Sequence, residues 1–431
     1  MPRRLLVLCP NAIGERMRGL GIRYTELARA LGGGDLDVTL AAPAIDGDPP
    51  AGVDCTTWPL DGVRALRALL ARADAVLAPP CPPHVMRELR RCGARVAIDL
   101  YDPVPLEVLE RTAADRPALR VTHATTATDQ LGDALRTGDF FICASERQRD
   151  LWIGALLAAG RITPRAYDRD PALRALVDVV PFGVPAQPPA AGAGAGDPIR
   201  ARFEVVEAAD RVLLWNGGLW AWLDAPAAIR AVARVRANGI PARLVFMGAS
   251  TAGGAGAAFN EARAAVAAEG LGDAVLFNDV WVDYEQRGGW LLAADAVVST
   301  HRDHLETRFA FRTRLLDCFW AGVPAVVTGG DELAARIAAE DLGAVAAPGD
   351  VGALAAGIER VLERGREAYA PRLRAAAAAY AWPRVVAPLR AFAIGEGGGA
   401  AGPGVLAGTA ARPLRRTAQR ATRLARLARG R

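Results

Sequence analysis

Residues 304–324 (HLETRFAFRTRLLDCFWAGVP) place cations where a buried helix is predicted to begin. The segment holds one glutamate and three arginines: Glu306, Arg308, Arg312 and Arg314. The helical pattern starts near Thr313, and the helix macrodipole disfavours cations at that end. A bound anion would explain them, because arginine binds phosphate oxygens in a bidentate manner and stays charged at neutral pH. The segment therefore predicts a diphosphate site.

Salt bridges within the protein are the alternative explanation for these arginines. The nearby carboxylates are Glu306, Asp303 and Asp317, and each of them could neutralise one guanidinium. The helix itself is predicted to end at Gly322, because Pro324 prevents its continuation. The residue types leave both explanations open, and we favour the diphosphate.

A second candidate phosphate site follows the strand-like run 211–216. The run ends in Asn216-Gly217-Gly218, and a helix begins near Asp224. Glycines let a ligand approach the backbone closely, and a helix N-terminus offers free amide groups to an anion. An ordinary tight turn has the same pattern, but three tryptophans favour a ligand-facing surface: Trp215, Trp220 and Trp222. Packing of these indoles between domains is the alternative.

An aromatic residue also follows another predicted strand, the run 274–279. Trp281 stands in the loop after it and could stack on a nucleobase. The position is equally consistent with a tryptophan that packs in the core or that lies on the surface without a ligand. The loop is therefore a candidate for the nucleoside end of a ligand.

The N-terminal half lacks a dinucleotide fingerprint but has carboxylates at a strand end. Its early glycines, at positions 14, 19 and 21, do not have the GxGxxG spacing, so hydride transfer is disfavoured. The predicted strand 95–101 ends near Asp99, Tyr101 and Asp102. A carboxylate there could orient a sugar hydroxyl. His123 is either a polar cleft residue or a structural histidine.

These residues must be positioned by alternating strands and helices, which run through the whole sequence. Alternation of this kind predicts an α/β protein with parallel sheets covered by helices. Gly, Ala and Pro crowd residues 186–198, which indicates a linker between two halves of similar size. We therefore expect two doubly wound, Rossmann-like domains that face one another across a cleft. Ligands of such sheets bind at the carboxyl ends of the strands, so both halves should contribute loops to one site.

Composition excludes several classes of function. The 431 residues include 52 basic ones, and all of them are arginine, which rules out a lysine Schiff base or a Walker-type phosphate loop. Residues 397–431 hold eight arginines and no acidic residue, so the remaining chain has a formal charge of −3. A mildly acidic body does not predict a nucleic-acid-binding protein.

The same composition predicts a cytoplasmic protein. Six cysteines are scattered without metal-ligand spacing, as expected for reduced thiols. The N-terminal apolar run is too short for a signal peptide, and no apolar stretch approaches the ~20 residues of a membrane span. The tail at 396–431 is either a flexible, solvated segment or a basic segment that contacts anionic lipid at the inner face of the membrane.

Several segments together resemble the retaining glycosyltransferases of the B-type fold (GT-B), family four. The similar segments are the strand and glycine loop at 211–218, WVDYEQ, LETRFAFRTRLLDCFWAGVP, the interdomain passage VVPFGVP, and AYAWPRVVAPLRAF near the end. The resemblance covers residues 4 to about 393 and is closest to a subgroup that assembles surface polysaccharide or O-antigen. It implies an acceptor-side domain at 1–185, a linker at 186–198, a nucleotide-sugar-binding domain at 199–380, a crossover helix at 381–395 and the tail.

The resemblance also implies a reaction. A sugar would move from a nucleoside diphosphate sugar to a glycan, lipid-linked or small-molecule acceptor, with retention at the anomeric carbon. No metal or cofactor is implied. The implied catalytic residues are Glu306 and Asp102, and the acceptor-side residues are Gly19, Tyr101 and His123. The implied nucleotide-sugar-binding residues are Gly217, Gly218, Trp220, Asp224, Trp281, Arg308, Arg312, Arg314 and Asp317.

The sequence departs from the family pattern at two points. The family spaces two glutamates as E-x7-E, and the second corresponds here to Asp317, but the matching first position is Phe309. Glu306 lies three residues further away. The family's Arg and Lys after the first C-terminal strand are also absent, and the arginines of 304–324 would replace them. A nucleotide-sugar epimerase and a non-catalytic sugar-nucleotide-binding partner are therefore alternatives.

Overall fold

A computed structural model describes residues 2–190, 196–248 and 256–396 of the protein. Residues 191–195, part of the predicted linker, and 397–431, which carry the predicted basic tail, lie outside these ranges. Strands and helices alternate along the described chain, as predicted. Within these ranges, no helix combines the length and the apolar character that crossing a membrane requires.

The first half of the chain builds a parallel sheet around its central strands. Its strands are β1 (Arg3–Leu8), β2 (Ile13–Gly14), β3 (Leu36–Ala42), β4 (Ile45–Asp46), β5 (Asp54–Thr57), β6 (Ala75–Ala78), β7 (Arg95–Asp99), β8 (Phe140–Cys143) and β9 (Val177–Val179). The order across the sheet is β5-β3-β1-β6-β7-β8-β9, while β2 pairs with β4 apart from it. Its helices are α1 (Gly19–Leu31), α2 (Val63–Leu70), α3 (Pro83–Arg91), α4 (Val104–Arg111), α5 (Pro117–Thr137), α6 (Glu146–Ala158) and α7 (Pro164–Arg169).

The second half repeats this arrangement. Its strands are β10 (Arg211–Gly218), β11 (Ala242–Gly248), β12 (Val275–Phe277), β13 (Ala296–Ser299), β14 (Ala325–Thr328) and β15 (Gly343–Ala346), in the order β12-β11-β10-β13-β14-β15. Its helices are α8 (Pro198–Arg202), α9 (Ala225–Ala237), α10 (Gly256–Ala268), α11 (Arg287–Leu292), α12 (Leu305–Phe309), α13 (Thr313–Ala321), α14 (Glu332–Ala339), α15 (Val351–Arg364), α16 (Ala370–Ala378), α17 (Trp382–Val385) and α18 (Ala387–Ile394). Two doubly wound α/β units are therefore present, which confirms the predicted fold class.

Two edge strands lie outside the strand-like runs of the sequence. β5 reads DCTT, and its residues are exposed or half-buried, so it lacks the continuous apolar run of a strand covered on both faces. β15 reads GAVA and pairs with β14. A Cβ atom on Gly343 would lie 2.0 Å from the carbonyl oxygen of Ala325, so close approach of the two strands requires glycine there.

The two halves meet through loops at the carboxyl ends of their strands. Tyr101, which follows β7, packs edge-on against Phe311 just before α13, with ring centroids 6.4 Å apart. The side-chain amide of Gln148 in α6 donates to the carbonyl oxygen of Phe309 over 2.9 Å. Nη1 of Arg147 donates to the carbonyl oxygen of Gly330 over 2.7 Å. Ligand sites of doubly wound sheets form at these strand ends.

The chain returns to the first sheet at its described end. The segment predicted as one crossover helix contains two short helices, α17 and α18. Trp382 packs on Phe182 with ring centroids 5.1 Å apart, and Phe392 stacks on Phe140 at the same distance. Nη1 of Arg390 donates to the carbonyl oxygen of Leu31 over 2.8 Å. These contacts tie α17 and α18 to the first half.

Candidate active site

The loop after β13 folds into two short helices because of local capping. Ring Nδ1 of His304 accepts the backbone N–H of Thr307 over 3.3 Å, which begins α12. Helix α13 follows and ends at Gly322, whose positive φ of 66° is the left-handed conformation of a C-cap. The three arginines predicted as a group are thereby distributed over α12, the N-cap of α13 and its first turn, and they reach three different environments.

Arg312 is buried inside the second half. Its Nη2 lies 2.7 Å from a carboxylate oxygen of Asp331, with both side chains almost fully buried, and its Nη1 donates to the carbonyl oxygen of Thr328. Burial lowers the pKa of Arg312, and the charge of Asp331 opposes this effect. The ion pair gives Arg312 a partner within the protein, although its Nε and Nη2 have no hydrogen-bond partner, and the predicted diphosphate contact stays a prediction. Its partner is also not one of the carboxylates that the sequence proposes for salt bridges.

Arg314 lies beside the glycine loop that ends β10. Its Nη2 donates to the carbonyl oxygen of Gly218 over 3.2 Å, whereas its Nη1 is buried without a hydrogen-bond partner. A Cβ atom on Gly217 would come within 3.2 Å of the guanidinium carbon, and the φ of Gly217 is +149°. Burial lowers the pKa of Arg314 to about 10, so it stays charged at neutral pH. The two segments predicted to bind phosphate, the glycine loop after β10 and residues 304–324, therefore lie next to each other.

Among the described residues this cation has no carboxylate in an ion pair with it. The charge of Asp317 partly opposes the lowered pKa of Arg314, but Asp317 itself is paired with Arg287 over 3.0 Å. A buried charge without a partner is costly, and proteins compensate such charges with an opposite one. The environment of Arg314 is therefore that of an anion-binding site.

His301 is a neighbouring residue that the sequence did not single out. It is buried at the end of β13, and its backbone N–H donates to Oγ1 of Thr328 over 2.7 Å. Burial, followed by the charges of Arg312 and Arg314, lowers its pKa well below the usual value. The histidine is therefore neutral and adds no further positive charge. Its position directly after a strand end is the signal that would have identified it.

Arg308 lies in a third environment. It is exposed and lines a cavity of about 550 Å³ between α6 and the loops after β13 and β14. The other residues around this cavity are Arg147, Asp150, Leu151, Asp303, His304, Thr307, Phe309 and Gly330. Arg308 is thus at an opening between the two halves rather than at the glycine loop.

Asp317 belongs to an aromatic and cationic cluster on the other side of α13. Its partner Arg287 lies over the ring of Tyr284, 3.5 Å from the centroid, and over Trp320, 4.5 Å away. Nη2 of Arg287 is buried and has no hydrogen-bond partner. Arg287 is therefore a second cation with an unused hydrogen-bond donor. It is not among the residues predicted from the sequence. It begins α11, directly after the WVDYEQ segment.

Glu306 lies in a buried acidic cluster between the two halves. It is only 5% exposed, and its Oε2 has no hydrogen-bond partner. Helix α12 packs against α4, which carries Glu107, while Asp102 lies in the loop that leads into α4. The structure therefore brings the two predicted catalytic carboxylates, Glu306 and Asp102, to one place. Glu107 and Glu110 of α4 belong to the same acidic cluster. They follow the predicted strand end closely in the sequence, and this position is the signal that points to them.

The cluster favours protonated carboxyl groups. Burial raises the pKa of Glu306 to about 7, with the charge of Arg312 opposing and that of Asp102 adding to the effect. Burial and then the charge of Glu306 raise the pKa of Glu107 to about 7. Burial and the charge of Glu107 raise the pKa of Asp102 well above its usual value. These groups can therefore carry a proton at neutral pH.

Tyr101 is held by a buried ion pair of the first half. Arg23 is fully buried and bonds Asp99 through two nitrogens, over 2.8 and 3.1 Å. Its guanidinium lies 4.2 Å from the centroid of Tyr101, whose backbone N–H donates to Asp99. Arg23 also donates to the carbonyl oxygens of residues 180 and 181. The predicted acceptor-side tyrosine is thus packed at the contact between the halves, and Asp99 is structural.

The remaining candidates near the glycine loop have local partners. Trp220 stacks on Trp222 with ring centroids 5.5 Å apart and planes at 2°. Asp224 is the N-cap of α9, where its carboxylate accepts the backbone N–H of Ala227 over 3.1 Å. This cap gives the Asp224 carboxylate a partner within the protein, and the predicted ligand contact stays a prediction.

Three other predicted residues lie on the surface. Trp281 is 43% exposed in the loop after β12, so its indole is available for stacking. Gly19 begins α1, and the space around it is open. His123 lies on α5, with Nδ1 3.5 Å from a carboxylate oxygen of Asp115, and both side chains are partly exposed. The pairing of His123 favours the structural alternative.

Comparison with known proteins identifies the class of the second half. Residues 210–364 match the model of the family described as glycosyl transferases group 1. A search of curated protein sequences finds no match. The matched range contains β10, α13 and the arginines at 308, 312 and 314, so the candidate diphosphate site lies in a glycosyltransferase domain.

Most of the chain resembles solved structures at low sequence identity. The Anabaena protein HepE, solved with UDP-glucose, is 13% identical with a TM-score of 0.65, covering 91% of this chain and 99% of that one. Sucrose-phosphate synthase from Thermosynechococcus elongatus is 19% identical with a TM-score of 0.59, covering 91% and 96%. A UDP-forming α,α-trehalose-phosphate synthase from Burkholderia xenovorans, in complex with glucose-6-phosphate, is 13% identical with a TM-score of 0.61, covering 91% and 99%. The fold and the matched domain define a glycosyltransferase of the GT-B fold.

Proposed function

We propose that this glycosyltransferase moves a sugar from a nucleoside diphosphate sugar to a glycan, lipid-linked or small-molecule acceptor, with retention at the anomeric carbon. The observation that carries this proposal is Arg314. Its buried, uncompensated guanidinium lies against Gly217 and Gly218 at the carboxyl end of β10. A diphosphate supplies the missing negative charge, and the glycines leave room for it.

The neighbouring residues support an extended ligand. Trp281 offers an exposed aromatic face for a base, and Asp317 with Arg287 lies on the far side of α13. Glu306 and Asp102 lie where the two halves meet, on the side proposed for the sugar. The solved HepE complex with UDP-glucose supports a nucleoside diphosphate sugar as the donor. The trehalose-phosphate synthase complex with glucose-6-phosphate supports a sugar-containing acceptor.

Arg314 has a role in the reaction as well as in binding. Negative charge develops on the diphosphate as the bond to the sugar breaks, and a preorganised cation in a water-poor site stabilises it. In this proposal the charge of Arg314 takes the place that a divalent metal has in other phosphate sites, and no cofactor takes part. A protonated Glu306 adds no negative charge beside the leaving group.

Turnover of defined donors tests the proposal. Wild type is expected to hydrolyse or transfer sugar from at least one of a panel of UDP-, GDP- and dTDP-sugars. Glu306→Gln should lower kcat by about a hundredfold or more while nucleoside diphosphate affinity changes less than about threefold. Retention is read from the anomeric NMR signals of the product. Binding without turnover, even with lipid-linked acceptors, would instead identify a non-catalytic partner, and a changed sugar on the nucleotide would identify an epimerase.

The basic tail gives a separate prediction about location. Residues 397–431 hold eight arginines and lie outside the described residues. Each arginine near an anionic surface contributes about 1 kcal/mol, so the full chain should cosediment with phosphatidylserine-containing liposomes and a 1–396 truncation should not. Equal cosedimentation of both proteins would exclude this contact.

A further inference from the structure

Two opposite charges of helix α13 are close in sequence but are kept apart. Arg314 and Asp317 lie three residues apart in the helix, and residues at this spacing have Cβ atoms about 5–6 Å from one another and form ion pairs. Asp133 and Arg136 of α5 form such a pair, over 2.9 Å. In α13 the two charged groups diverge instead, because Arg314 reaches the glycine loop after β10 and Asp317 accepts a hydrogen bond from Arg287. A residue of another helix thus binds the carboxylate that lies nearest to Arg314 in the sequence.

Asp317 is close enough to Arg314 to act on its charge. Burial lowers the pKa of Arg314, and the charge of Asp317 opposes this effect. The carboxylate is nevertheless committed elsewhere, since its Oδ1 lies 3.0 Å from Nε of Arg287. An ion pair between Arg314 and Asp317 would neutralise the cation that the diphosphate is proposed to meet.

Arg287 is held in place by contacts of the protein itself. Its Nη1 donates to the carbonyl oxygen of Tyr284 over 2.6 Å. Its guanidinium carbon lies 3.5 Å from the centroid of the Tyr284 ring and 4.5 Å from that of Trp320, and the residue is only 5% exposed. Arginine suits this place because its planar guanidinium stacks on aromatic rings while it binds a carboxylate. The direction of the Asp317 carboxylate is therefore set before any ligand binds.

The ring of Trp320 is itself anchored to the chain before the linker. Its Nε1 donates to the carbonyl oxygen of Gln187. Pro189 packs beside it, since a Cβ atom on Gly288 would lie 2.7 Å from Cβ of Pro189 and 3.2 Å from the Trp320 ring. These contacts fix the ring against which Arg287 rests.

We propose that Arg287 is a positioning residue of the donor site, which holds the Asp317 carboxylate away from Arg314 and so keeps this cation available for the diphosphate. Without Arg287, Asp317 would pair with Arg314 or stand unpaired beside the bound diphosphate and repel it. Both effects weaken diphosphate binding, and neither requires Arg287 to touch the ligand. The part that concerns the diphosphate rests on the proposed function, whereas the hold on Asp317 rests on contacts within the protein.

Titration calorimetry of the full-length protein tests the proposal with UDP, GDP or dTDP, whichever binds wild type most tightly. Arg287→Met removes the charge but leaves an apolar side chain that packs against both rings, and it should weaken diphosphate binding by about tenfold. Arg287→Lys keeps a cation beside Asp317 and should stay within about threefold of wild type. The affinity for the matching nucleoside, which has no phosphate, should change in neither variant. Unchanged diphosphate affinity in Arg287→Met would overturn the proposal.

Arg243→Met is the matched control for the loss of an ion pair. It breaks another largely buried pair of the second half, in which Arg243 lies 2.9 Å from Asp210. Arg243 stands near the start of β11, whereas the glycine loop lies at the carboxyl end of β10. The control should therefore leave diphosphate affinity unchanged, and a loss equal to that of Arg287→Met would contradict the positioning role.

A double-mutant cycle separates positioning from direct contact. Once Asp317→Asn has removed the competing charge, Arg287→Met should weaken diphosphate binding by less than about threefold. A loss of about tenfold in both backgrounds would mean that Arg287 meets the diphosphate itself, and would overturn the proposal. The comparison of Asp317→Asn with the double variant leaves no unpaired carboxylate beside α13, so it decides the question even where Arg287→Met alone does not fold.

The ligand-free protein provides an independent measurement. In wild type, Arg314→Gln should leave the Tm unchanged or higher, because Arg314 has no ion-pair partner among the described residues. In the Arg287→Met background Asp317 is free to pair with Arg314, so the same substitution should lower the Tm by about 2 °C. Equal changes of Tm in the two backgrounds would overturn the proposal. Failure of wild type to bind any nucleoside diphosphate would contradict the proposed function alone, and the Tm values would still decide whether Arg287 holds Asp317 away from Arg314.

Discussion

Arg314→Gln should weaken the binding of nucleoside diphosphates by about thirtyfold or more. A hydrogen bond to a charged group contributes about 1.5–3 kcal/mol, and each 1.4 kcal/mol corresponds to a factor of ten in affinity. Arg314 offers a buried Nη1 without a hydrogen-bond partner, and no carboxylate of the described residues forms an ion pair with it. Isothermal titration calorimetry with UDP, GDP and dTDP measures the effect on whichever diphosphate binds wild type most tightly.

The same substitution should leave the ligand-free protein at least as stable as wild type. An uncompensated buried charge costs free energy, so its removal offsets the loss of the bond to Gly218. Arg360→Gln is the matched control, because it removes one exposed positive charge from the same half. The affinity for the corresponding nucleoside, which lacks phosphate, should not change. Unchanged diphosphate affinity, or an equal loss in Arg360→Gln, would contradict the assignment.

Arg312→Met should have the opposite pattern, with a loss of stability as its main effect. The substitution leaves Asp331 buried without its cation, and breaking a buried ion pair costs about 3–5 kcal/mol. Urea denaturation, monitored by the fluorescence of the second half's tryptophans, measures the loss in the free energy of unfolding. Nucleoside diphosphate affinity is compared under conditions where the variant is folded.

A double variant provides the control for this prediction. The substitution Asp331→Asn keeps a side-chain oxygen that can cap α14, where Asp331 accepts the backbone N–H of Ala334, but it removes the charge. Asp331→Asn combined with Arg312→Met should therefore recover much of the stability that Arg312→Met loses. A stability of Arg312→Met within about 1 kcal/mol of wild type would refute the structural role of the ion pair. Together the variants separate a ligand-binding arginine from a structural one in the same segment.

The strands of both sheets were predictable because most of them are short apolar runs covered on two faces. β1, β6, β8 and β14 are buried along most or all of their length, and each is visible as such a run. The edge strands β5 and β15 were not predictable from the sequence, because an edge strand needs no continuous apolar face. The end of the chain was predicted to return to the first half, but its division into α17 and α18 was not evident from the pattern.

The candidate site was predictable to the level of segments. Because parallel strands end at one edge of a sheet, the glycine loop after β10 and the segment after β13 were expected to lie together, and Arg314 joins them. The sequence could not separate the three arginines from one another. Their side chains differ in direction along α12 and the start of α13, and this decides which one meets Asp331, which one meets Gly218 and which one faces the cavity.

The sequence by itself determined a two-unit α/β protein with an arginine-rich segment, predicted to bind phosphate, in its second half and carboxylates at a strand end in its first. These follow from local periodicity, from turn chemistry and from the types of residues at strand ends. Only the tertiary structure decided that Glu306 is buried where α12 packs on α4, that Asp331 is the ion-pair partner of Arg312, and that Arg314 has no ion-pair partner among the described residues. Each of these depends on contacts between segments distant in the chain, and the charge state of a buried group is set by those neighbours rather than by its own sequence context.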